Sequence, residues 1–155
     1  MKKEAFICTL YWFLMHMSIS MIGTILSNKF FEKNTRYFKT FNWEHEGRFW
    51  EKWFRVKSWK DHLPDGNKLN SKIKSKVRLE KIYSKTYIEE FIIETKKAEL
   101  IHILSVTPCL IFLNQERKIK NINILYAILV NVPFVIVQRY NRPKLERYYQ
   151  RKFLK

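Results

Sequence analysis

The sequence predicts an all-α integral membrane protein with about three membrane segments, and three observations support this prediction. The chain of 155 residues holds 30 Lys and Arg against 14 Asp and Glu, yet 46% of its residues are hydrophobic. The apolar residues fall into uncharged runs with basic flanks, a pattern typical of membrane proteins that contact anionic headgroups. Only three glycines and four prolines are present, which leaves little room for β-turns. We therefore expect a single helical domain.

The three apolar segments differ in length. Residues 5–26 carry no Lys, Arg, Asp or Glu and are long enough to cross a bilayer, which takes about 20 residues. A cleaved signal peptide is the alternative, but no Ala-x-Ala type site follows, so a retained span is favoured. Residues 100–113 and 122–138 are shorter and are joined by a polar turn. Helices extended by their flanks are expected to form a transmembrane or re-entrant hairpin there.

The distribution of basic residues predicts the orientation. Of the 30 Lys and Arg, 18 lie within the cytosolic or interfacial region 28–99 and seven lie in the basic C-terminal tail 139–155. Because basic loops stay in the cytoplasm, both regions are expected on the cytoplasmic side of the cell membrane. A soluble nucleic-acid binder is not favoured, because apolar spans interrupt the basic residues.

The region between the first and second segments predicts one amphipathic helix, a polar loop with one short helix, and the start of a long helix. Residues 44–59 place aromatic side chains in one arc, while the opposite face carries the charged ones, including Glu44. Such a helix lies in the headgroup plane or packs on the protein's own spans. Residues 67–85 predict a polar loop with one short helix. Thr86 and Glu89 form a capping-box pattern, so a long helix is expected to begin near Tyr87.

That long helix carries a carboxylate and an imidazole into the second apolar segment. Glu99 and His102 are three residues apart and share a helix face with Thr95, while Lys96 and Lys97 are expected to point elsewhere. Ionisable groups at membrane depth are costly unless partnered and are functional candidates by default. The structural alternative is a helix-entry carboxylate and a His that is hydrogen-bonded to a neighbouring helix.

Other motifs exclude several chemistries. The chain has no glycine-rich phosphate loop, no Gly-x-Ser-x-Gly elbow and no Cys/His cluster. The single Glu-x-x-His pair falls short of the two that dinuclear carboxylate sites use, so no metal is expected. Cys8 and Cys109 lie in apolar runs and are interpreted as small buried hydrophobes. Asn131 and Gln138, seven residues apart, share one face of the third segment.

Three separated motifs resemble one known family. The first covers residues 41–44 (Phe-Asn-Trp-Glu), 47–54 and 59–60, and the second covers residues 92–96 and 98–102. The third covers residues 131–133 (Asn-Val-Pro) and 137–143 (Val-Gln-Arg-Tyr-Asn-Arg-Pro). In this order they resemble the glycosyl-4,4′-diaponeurosporenoate acyltransferases of staphylococcal carotenoid synthesis, along nearly the whole chain. The resemblance implies transfer of a fatty acyl group to the glucose 6-hydroxyl of a glycosylated C30 carotenoid acid, the last step towards a staphyloxanthin-like pigment.

Under this resemblance the polar residues acquire expected roles. A sugar hydroxyl that attacks a thioester needs a general base, so His102 is the candidate base and Glu99 the residue that orients its ring. The remaining candidates are assigned to substrate binding. Asn131 and Gln138 would contact the sugar; Arg139 or Arg142, with Asn141, would hold donor phosphates or stabilise the oxyanion; further candidates are Thr95, Glu44, Trp59 and Lys60.

The expected partners are a glycosylated carotenoid or glycolipid acceptor, an acyl donor and anionic membrane lipids. The donor, acyl-CoA or another acyl carrier, is a co-substrate, and no cofactor, metal or nucleic acid is expected. Three spans offer little surface to enclose a bulky glycolipid, so a homodimer stays open. A non-enzymatic membrane scaffold of a lipid or pigment complex is the alternative function. It explains the charge and the aromatic residues equally well, but it explains Glu99, His102 and Asn131 less well.

Overall fold

A computed structural model describes residues 2–64 and 84–154, and every regular element in these two ranges is a helix. This confirms the all-α class for the described part of the chain. The α-helices are α1 (Lys2–Ile25), α2 (Asn28–Lys33), α3 (Arg48–Phe54), α4 (Val56–Trp59), α5 (Lys85–Leu104) and α6 (Arg117–Phe153). Short 3₁₀ helices at Thr35–Phe38, Asn42–Gly47, Lys60–His62 and Thr107–Phe112 lie between them. The predicted polar loop at 67–85 lies almost wholly outside the described residues.

Two described helices are long and apolar enough to cross a membrane. They are Lys3–Ile25 and Arg117–Phe153. The first coincides with the predicted segment 5–26. The second contains the predicted segment 122–138 but also continues through the basic tail, so the tail is helical rather than a separate element.

The apolar segment 100–113 is not one helix. α5 ends at Leu104, and a 3₁₀ helix with Pro108 in its first turn covers Thr107–Phe112. The segment nevertheless runs along α6, because Ser105 O accepts from Asn131 Nδ2 at 3.5 Å and Phe112 packs against Ala127. It therefore follows α6 in the antiparallel direction as a broken segment.

The prediction of one helix over residues 44–59 is wrong. Two backbone reversals divide it: His45 and Glu46 have φ of 45° and 58°, and Arg55 has φ of 47°. The reversals redirect the side chains. Glu44, expected on the polar face, is completely buried, whereas Trp53 is 67% exposed.

α5 begins two residues before the predicted start. Ser84 is its N-cap, and the Ser84 hydroxyl accepts a hydrogen bond from Tyr87 N at 3.1 Å. Ser and Thr are both good N-caps, so local sequence does not decide between Ser84 and Thr86.

Three buried apolar clusters join the helices. They lie between α1, the 3₁₀ helix and α6 (Trp12, Cys109, Phe112, Ala127), between α4 and α6 (Val56, Ile136, Val137, Tyr140), and between the 31–38 region and α5 (Phe31, Phe38, Ile93). Hydrogen bonds support the first of these contacts: Trp12 Nε1 donates to Asn123 Oδ1 at 2.7 Å, and Tyr11 OH donates to Pro108 O at 2.8 Å. Cys109 is buried as expected, and Cys8 is half-buried.

Gly47 allows the 42–50 region to lie directly on α6. Its φ is +89°, and a Cβ built at this position would lie 2.8 Å from the backbone oxygen of Tyr140. An L-residue is strained in this conformation, and a backbone oxygen, unlike the end of a side chain, does not move aside easily. The glycine thus fixes how closely the segment carrying Glu44 approaches α6.

We expect Gly47→Ala to lower the free energy of unfolding by at least about 1–2 kcal/mol, the usual cost of a left-handed residue. Thermal unfolding in detergent measures the change. Gly23→Ala is the control, because its added Cβ would meet the movable end of the Ile101 side chain. Equal melting temperatures for Gly47→Ala and the wild-type protein would contradict the prediction.

Candidate active site between α5 and α6

Arg139 on α6 binds two carboxylates from different parts of the chain. Its Nε donates to Glu44 Oε1 at 2.6 Å, and its Nη2 forms the second half of a bidentate pair with the same carboxylate. Its Nη1 donates to Glu99 Oε1 on α5 at 2.8 Å. Bidentate Arg–carboxylate pairs are among the strongest polar contacts in proteins. This guanidinium therefore connects the 42–50 region, α5 and α6.

Glu44 is held by neutral donors as well. Phe41 N–H donates to Oε2 at 2.7 Å and Trp50 Nε1 donates to Oε1 at 2.8 Å. Burial alone would raise the pKa of the Glu44 carboxyl, but these donors and the Arg139 guanidinium hold its pKa below the usual value. Glu44 is consequently an anion at neutral pH inside the fold.

Glu99 also pairs with a second arginine. Its Oε2 forms an ion pair with Nη1 of Arg142, which is only 1% exposed. The Arg142 guanidinium lies 5.9 Å from the centre of the Phe38 ring, and its Nε has no hydrogen-bond partner among the described residues. Two carboxylates and two guanidinium groups thus form one buried cluster, which we call the ion cluster (Glu44, Glu99, Arg139, Arg142).

Lys96 adds a buried cation next to this cluster. It was expected to point away from the packed face, but it is only 6% exposed and its Nζ donates to Phe31 O at 3.4 Å. Its spacing of three residues from Glu99 is the signal that could have predicted this placement. Burial lowers the pKa of Lys96.

His102 contacts Asn131 across the α5–α6 interface. His102 Nδ1 lies 3.2 Å from Asn131 Oδ1, and the imidazole stacks on Phe134 with ring centres 4.4 Å apart. The Asn131 Nδ2 donates to Ala127 O at 3.0 Å and to Ser105 O. Asn131 Oδ1 is therefore the acceptor of this contact, and His102 Nδ1 is its donor.

This geometry changes the expected partner of the imidazole. Glu99 was expected to orient the His102 ring, but both oxygens of Glu99 are engaged by arginines. The orienting group that the structure places at Nδ1 is the Asn131 amide. Asn131 was itself a candidate from the sequence, assigned to sugar binding.

The other candidates on these two helices occupy different environments. Gln138 is 2% exposed, and its Oε1 has no hydrogen-bond partner within the described ranges. Thr95 is buried and donates its hydroxyl to Ile92 O at 2.6 Å, within its own helix. Asn141 is half-buried. Gln138 is thus the candidate with an unused buried acceptor.

Trp59 and Lys60 lie elsewhere, on the α4 side of α6. Trp59 packs against the cluster around Val56 and donates Nε1 to Phe54 O at 2.7 Å. Lys60 forms an ion pair with Asp61 at 3.2 Å. Among the described residues, no hydrogen bond or ion pair joins Trp59 or Lys60 to the ion cluster.

The ion cluster and the His102–Asn131 pair lie close together along the helix pair. His102 follows Glu99 by three residues, a rise of about 5 Å along α5. Gln138 follows Asn131 by seven residues, about 10 Å along the antiparallel α6. The α5–α6 interface therefore presents an imidazole, an unused amide oxygen and an arginine within a few helical turns. No group of three or more His, Cys, Asp or Glu side chains suited to a metal occurs among the described residues.

The lowered pKa of Glu44 predicts acid lability. A group with a lowered folded-state pKa contributes stability above its unfolded pKa, about 4.3 for Glu, and loses it as pH falls through the folded value. We expect the wild-type melting temperature in detergent to fall as pH decreases below about 4.3, and Glu44→Gln to flatten this dependence.

The matched control is Glu46→Gln, which removes an exposed carboxylate paired with Arg147 and should leave the pH dependence unchanged. The same acid slope in Glu44→Gln and in the wild-type protein would contradict the assignment.

The chain is similar to known proteins along most of its length. The family model described as glycosyl-4,4′-diaponeurosporenoate acyltransferase matches residues 34–151, which contain the ion cluster and the His102–Asn131 pair. Two proteins of that name from Staphylococcus aureus strains bovine RF122 / ET3-1 and MRSA252 are each 48% identical over 143 residues, covering 92% of this chain and 86% of the relative. A third, from strain N315, is 47% identical over the same shares.

No solved structure matches the chain. The family match covers most of the chain, and the relatives agree along nearly all of it. They share the name of the family that the three motifs resemble. The chain therefore belongs to the glycosyl-4,4′-diaponeurosporenoate acyltransferase family.

Proposed function

We propose that this chain transfers a fatty acyl group from a thioester to the glucose 6-hydroxyl of glycosyl-4,4′-diaponeurosporenoate, the final step towards a staphyloxanthin-like pigment. The observation that carries the proposal is the His102–Asn131 pair beside the buried ion cluster. Family membership provides the reaction class, and the pair provides a general base of the required kind. The acyl donor is the co-substrate, and the proposed reaction uses no other cofactor.

The proposed steps need one base. The sugar hydroxyl oxygen attacks the thioester carbonyl while His102 Nε2 takes the hydroxyl proton. The tetrahedral intermediate then expels the thiolate, which recovers the proton from the imidazolium. The Asn131 Oδ1 holds the hydrogen on Nδ1 throughout and keeps the lone pair on Nε2 facing the reacting hydroxyl. No covalent acyl-enzyme is needed.

The acceptor sugar has two candidate contacts in the same interface. Gln138 Oε1 is a buried acceptor without a partner among the described residues, which suits a sugar hydroxyl. Arg142 Nε is a buried donor that also has no hydrogen-bond partner among the described residues, and it could donate to the developing oxyanion or to a sugar oxygen. Glu99 and Arg139 act as positioning residues, because Glu99 holds the Arg142 guanidinium and Arg139 holds Glu99.

The apolar surface supports insertion into the membrane. The large apolar side chains along α1 and the first half of α6 include eight that are 43–78% exposed, which is unusual for a soluble protein of this size. These eight are Phe6, Phe13, Met21, Ile25, Ile122, Leu125, Ile128 and Leu129. We assign α1 and residues 122–138 of α6 to the membrane, with the broken segment 100–113 running antiparallel to α6.

This arrangement places the ion cluster at the membrane–water boundary. Arg139 follows the apolar part of α6 directly, and the helix beyond it is basic. Both proposed substrates carry long apolar chains attached to polar heads. A site at the boundary lets the chains stay in lipid while the sugar and the thioester reach the α5–α6 interface. Dimerisation and contacts with anionic lipids stay predictions.

The direct test is acyl transfer by purified protein. Protein in detergent or nanodiscs is incubated with acyl-CoA and glycosyl-4,4′-diaponeurosporenoate, and the product is followed by mass spectrometry. We expect a species heavier than the acceptor by one acyl group in place of one hydrogen. Absence of this product from folded protein, with both substrates verified, would overturn the proposal.

His102→Ala is expected to lower kcat by about 10²–10⁴-fold, the usual contribution of general-base catalysis. Asn131→Ala should also lower kcat, because the imidazole loses the acceptor that fixes its tautomer. Since the two side chains act as one unit, the double variant should be scarcely slower than His102→Ala alone.

The control for this series is His62→Ala, which changes an exposed histidine on a short 3₁₀ helix. Melting temperatures of all variants separate loss of catalysis from loss of folded protein. Wild-type turnover in folded His102→Ala would remove this residue from the mechanism.

The proposed topology predicts which positions react from outside the cell. In a variant without Cys8 and Cys109, single cysteines at Lys52 and Arg151 should resist an impermeant maleimide in intact cells. A cysteine at Lys118 should react, because it lies in the first turn of α6, at the end of the apolar part opposite to the basic tail. External labelling at Lys52 or Arg151 would contradict the proposed orientation.

A further inference from the structure

A basic cavity lies beside the ion cluster. It has a volume of about 470 Å³ and is lined by Arg36, Lys39, Lys96 and Glu146. Three of these side chains are cationic and one is a carboxylate, so the lining carries an excess of positive charge. The reaction mechanism above uses none of these four residues.

The cavity combines a buried cation with two exposed ones. Lys96 is only 6% exposed, while Arg36 and Lys39 are exposed. Keeping an ammonium group largely out of water is costly unless a counter-charge or a set of acceptors compensates for it. The Lys96 charge is compensated by a long contact with Phe31 O and by the nearby carboxylates of Glu146 and Glu32. The like charge of Arg142 opposes this compensation. An anion bound in the cavity would supply further compensation.

The two arginines first assigned to donor phosphates are engaged elsewhere. Arg139 is bound by both Glu44 and Glu99, and Arg142 is paired with Glu99. Their charge is therefore largely neutralised by carboxylates. Arg36, Lys39 and Lys96 line the neighbouring cavity, and these cations could bind a phosphate there.

The cavity is also within reach of the proposed reaction centre. Lys96 precedes Glu99 by one turn of α5, and Glu146 follows Arg142 by one turn of α6, so the cavity adjoins the ion cluster. His102 lies six residues beyond Lys96, a rise of about 9 Å along α5. A donor that binds in the cavity must therefore place its phosphate and its thioester at different points along α5. Acyl thioesters of phosphopantetheine meet this requirement, because a flexible arm separates the phosphate from the thioester.

We infer that this cavity binds a phosphate ester of the acyl donor, which makes the donor a phosphopantetheine thioester such as acyl-CoA or an acyl carrier protein. The inference rests on the proposed function, because it names the donor for that same site. An anionic phospholipid headgroup shares the phosphate chemistry. The donor is favoured because the cavity reaches a buried ammonium next to the ion cluster and is not built from exposed cations alone.

The test compares a donor that has phosphates with one that lacks them. Full-length protein in phosphatidylcholine nanodiscs is assayed with myristoyl-CoA and with the N-acetylcysteamine thioester of myristate. Binding of free coenzyme A is measured separately by calorimetry. The variants are Lys96→Met and the exposed pair Arg36→Gln with Lys39→Gln. Lys97→Met, on the same helix and outside the cavity lining, is the control.

We expect Lys96→Met and the exposed pair each to raise KM for myristoyl-CoA by about tenfold or more, as loss of charged hydrogen bonds predicts. The affinity for coenzyme A should fall by a similar factor, and KM for the phosphate-free thioester should not change. If Lys96→Met does not fold, the exposed pair decides the result.

The other outcomes separate the two proposals. If wild-type protein uses both donors and the variants affect them equally, the phosphate site is wrong while the proposed function stands. If coenzyme A binds in a Lys96-dependent way but no acyl group is transferred, the proposed function is wrong and the phosphate site stands. If the variants lose binding to phosphatidylglycerol vesicles but keep their affinity for coenzyme A, the cavity is a lipid site and the inference is overturned.

Discussion

The guanidinium of Arg139 lies between two buried carboxylates, and the arrangement of the active-site region depends on this contact. Glu44 comes from the 42–50 region, Glu99 from α5 and Arg139 from α6, so one side chain holds three elements in register. Removing one partner of such a group leaves a buried charge uncompensated, at a typical cost of about 3–5 kcal/mol. The positive φ at His45, Glu46 and Gly47 is the local backbone reversal that brings Glu44 to this position.

The balance of buried positive and negative side chains affects which ligands could bind near the ion cluster. The ion cluster is neutral as a group of two carboxylates and two guanidinium groups, and Lys96 adds a positive charge beside it. A low-polarity environment strengthens the interaction of such a charge with an incoming anion. In the proposals above, Lys96 would attract the negative charge of a bound phosphate or of the tetrahedral oxygen, and the Glu146 carboxylate would partly offset this attraction.

The positions of the main helices could be predicted from the periodicity of the sequence, whereas the contacts between individual side chains could not. The apolar runs predicted α1 and the apolar part of α6, and the spacing of Glu99 and His102 predicted that the two share one face of α5, which is the face that meets α6. The partner of each side chain depends on elements distant in the chain. Glu44 lies 95 residues from Arg139, and the reversals that bring them together involve residues without a sequence signal for positive φ except Gly47.

Local ambiguity explains the remaining differences. Ser84 and Thr86 are both suitable caps, and tertiary packing selected the first. Pro108 lies in the first turn of a 3₁₀ helix and divides an apolar segment that hydrophobicity alone predicts to be one continuous helix. Lys96 is buried because its face of α5 meets Phe31, a residue far away in sequence.

An amide as the partner of His102 supports the proposed chemistry in a different way from the expected carboxylate. In acyl transfer to a sugar, the base must take a proton from the hydroxyl and then return it to the departing thiolate. A carboxylate at Nδ1 would orient the ring and also stabilise the imidazolium by a full charge. The Asn131 oxygen fixes the same tautomer with a dipole only, and its own orientation is fixed by the carbonyls of Ala127 and Ser105. The carboxylate that sequence spacing assigned to the imidazole instead positions the arginines. In the proposed reaction, proton transfer through His102 and Asn131 is thus separate from charge stabilisation through the ion cluster.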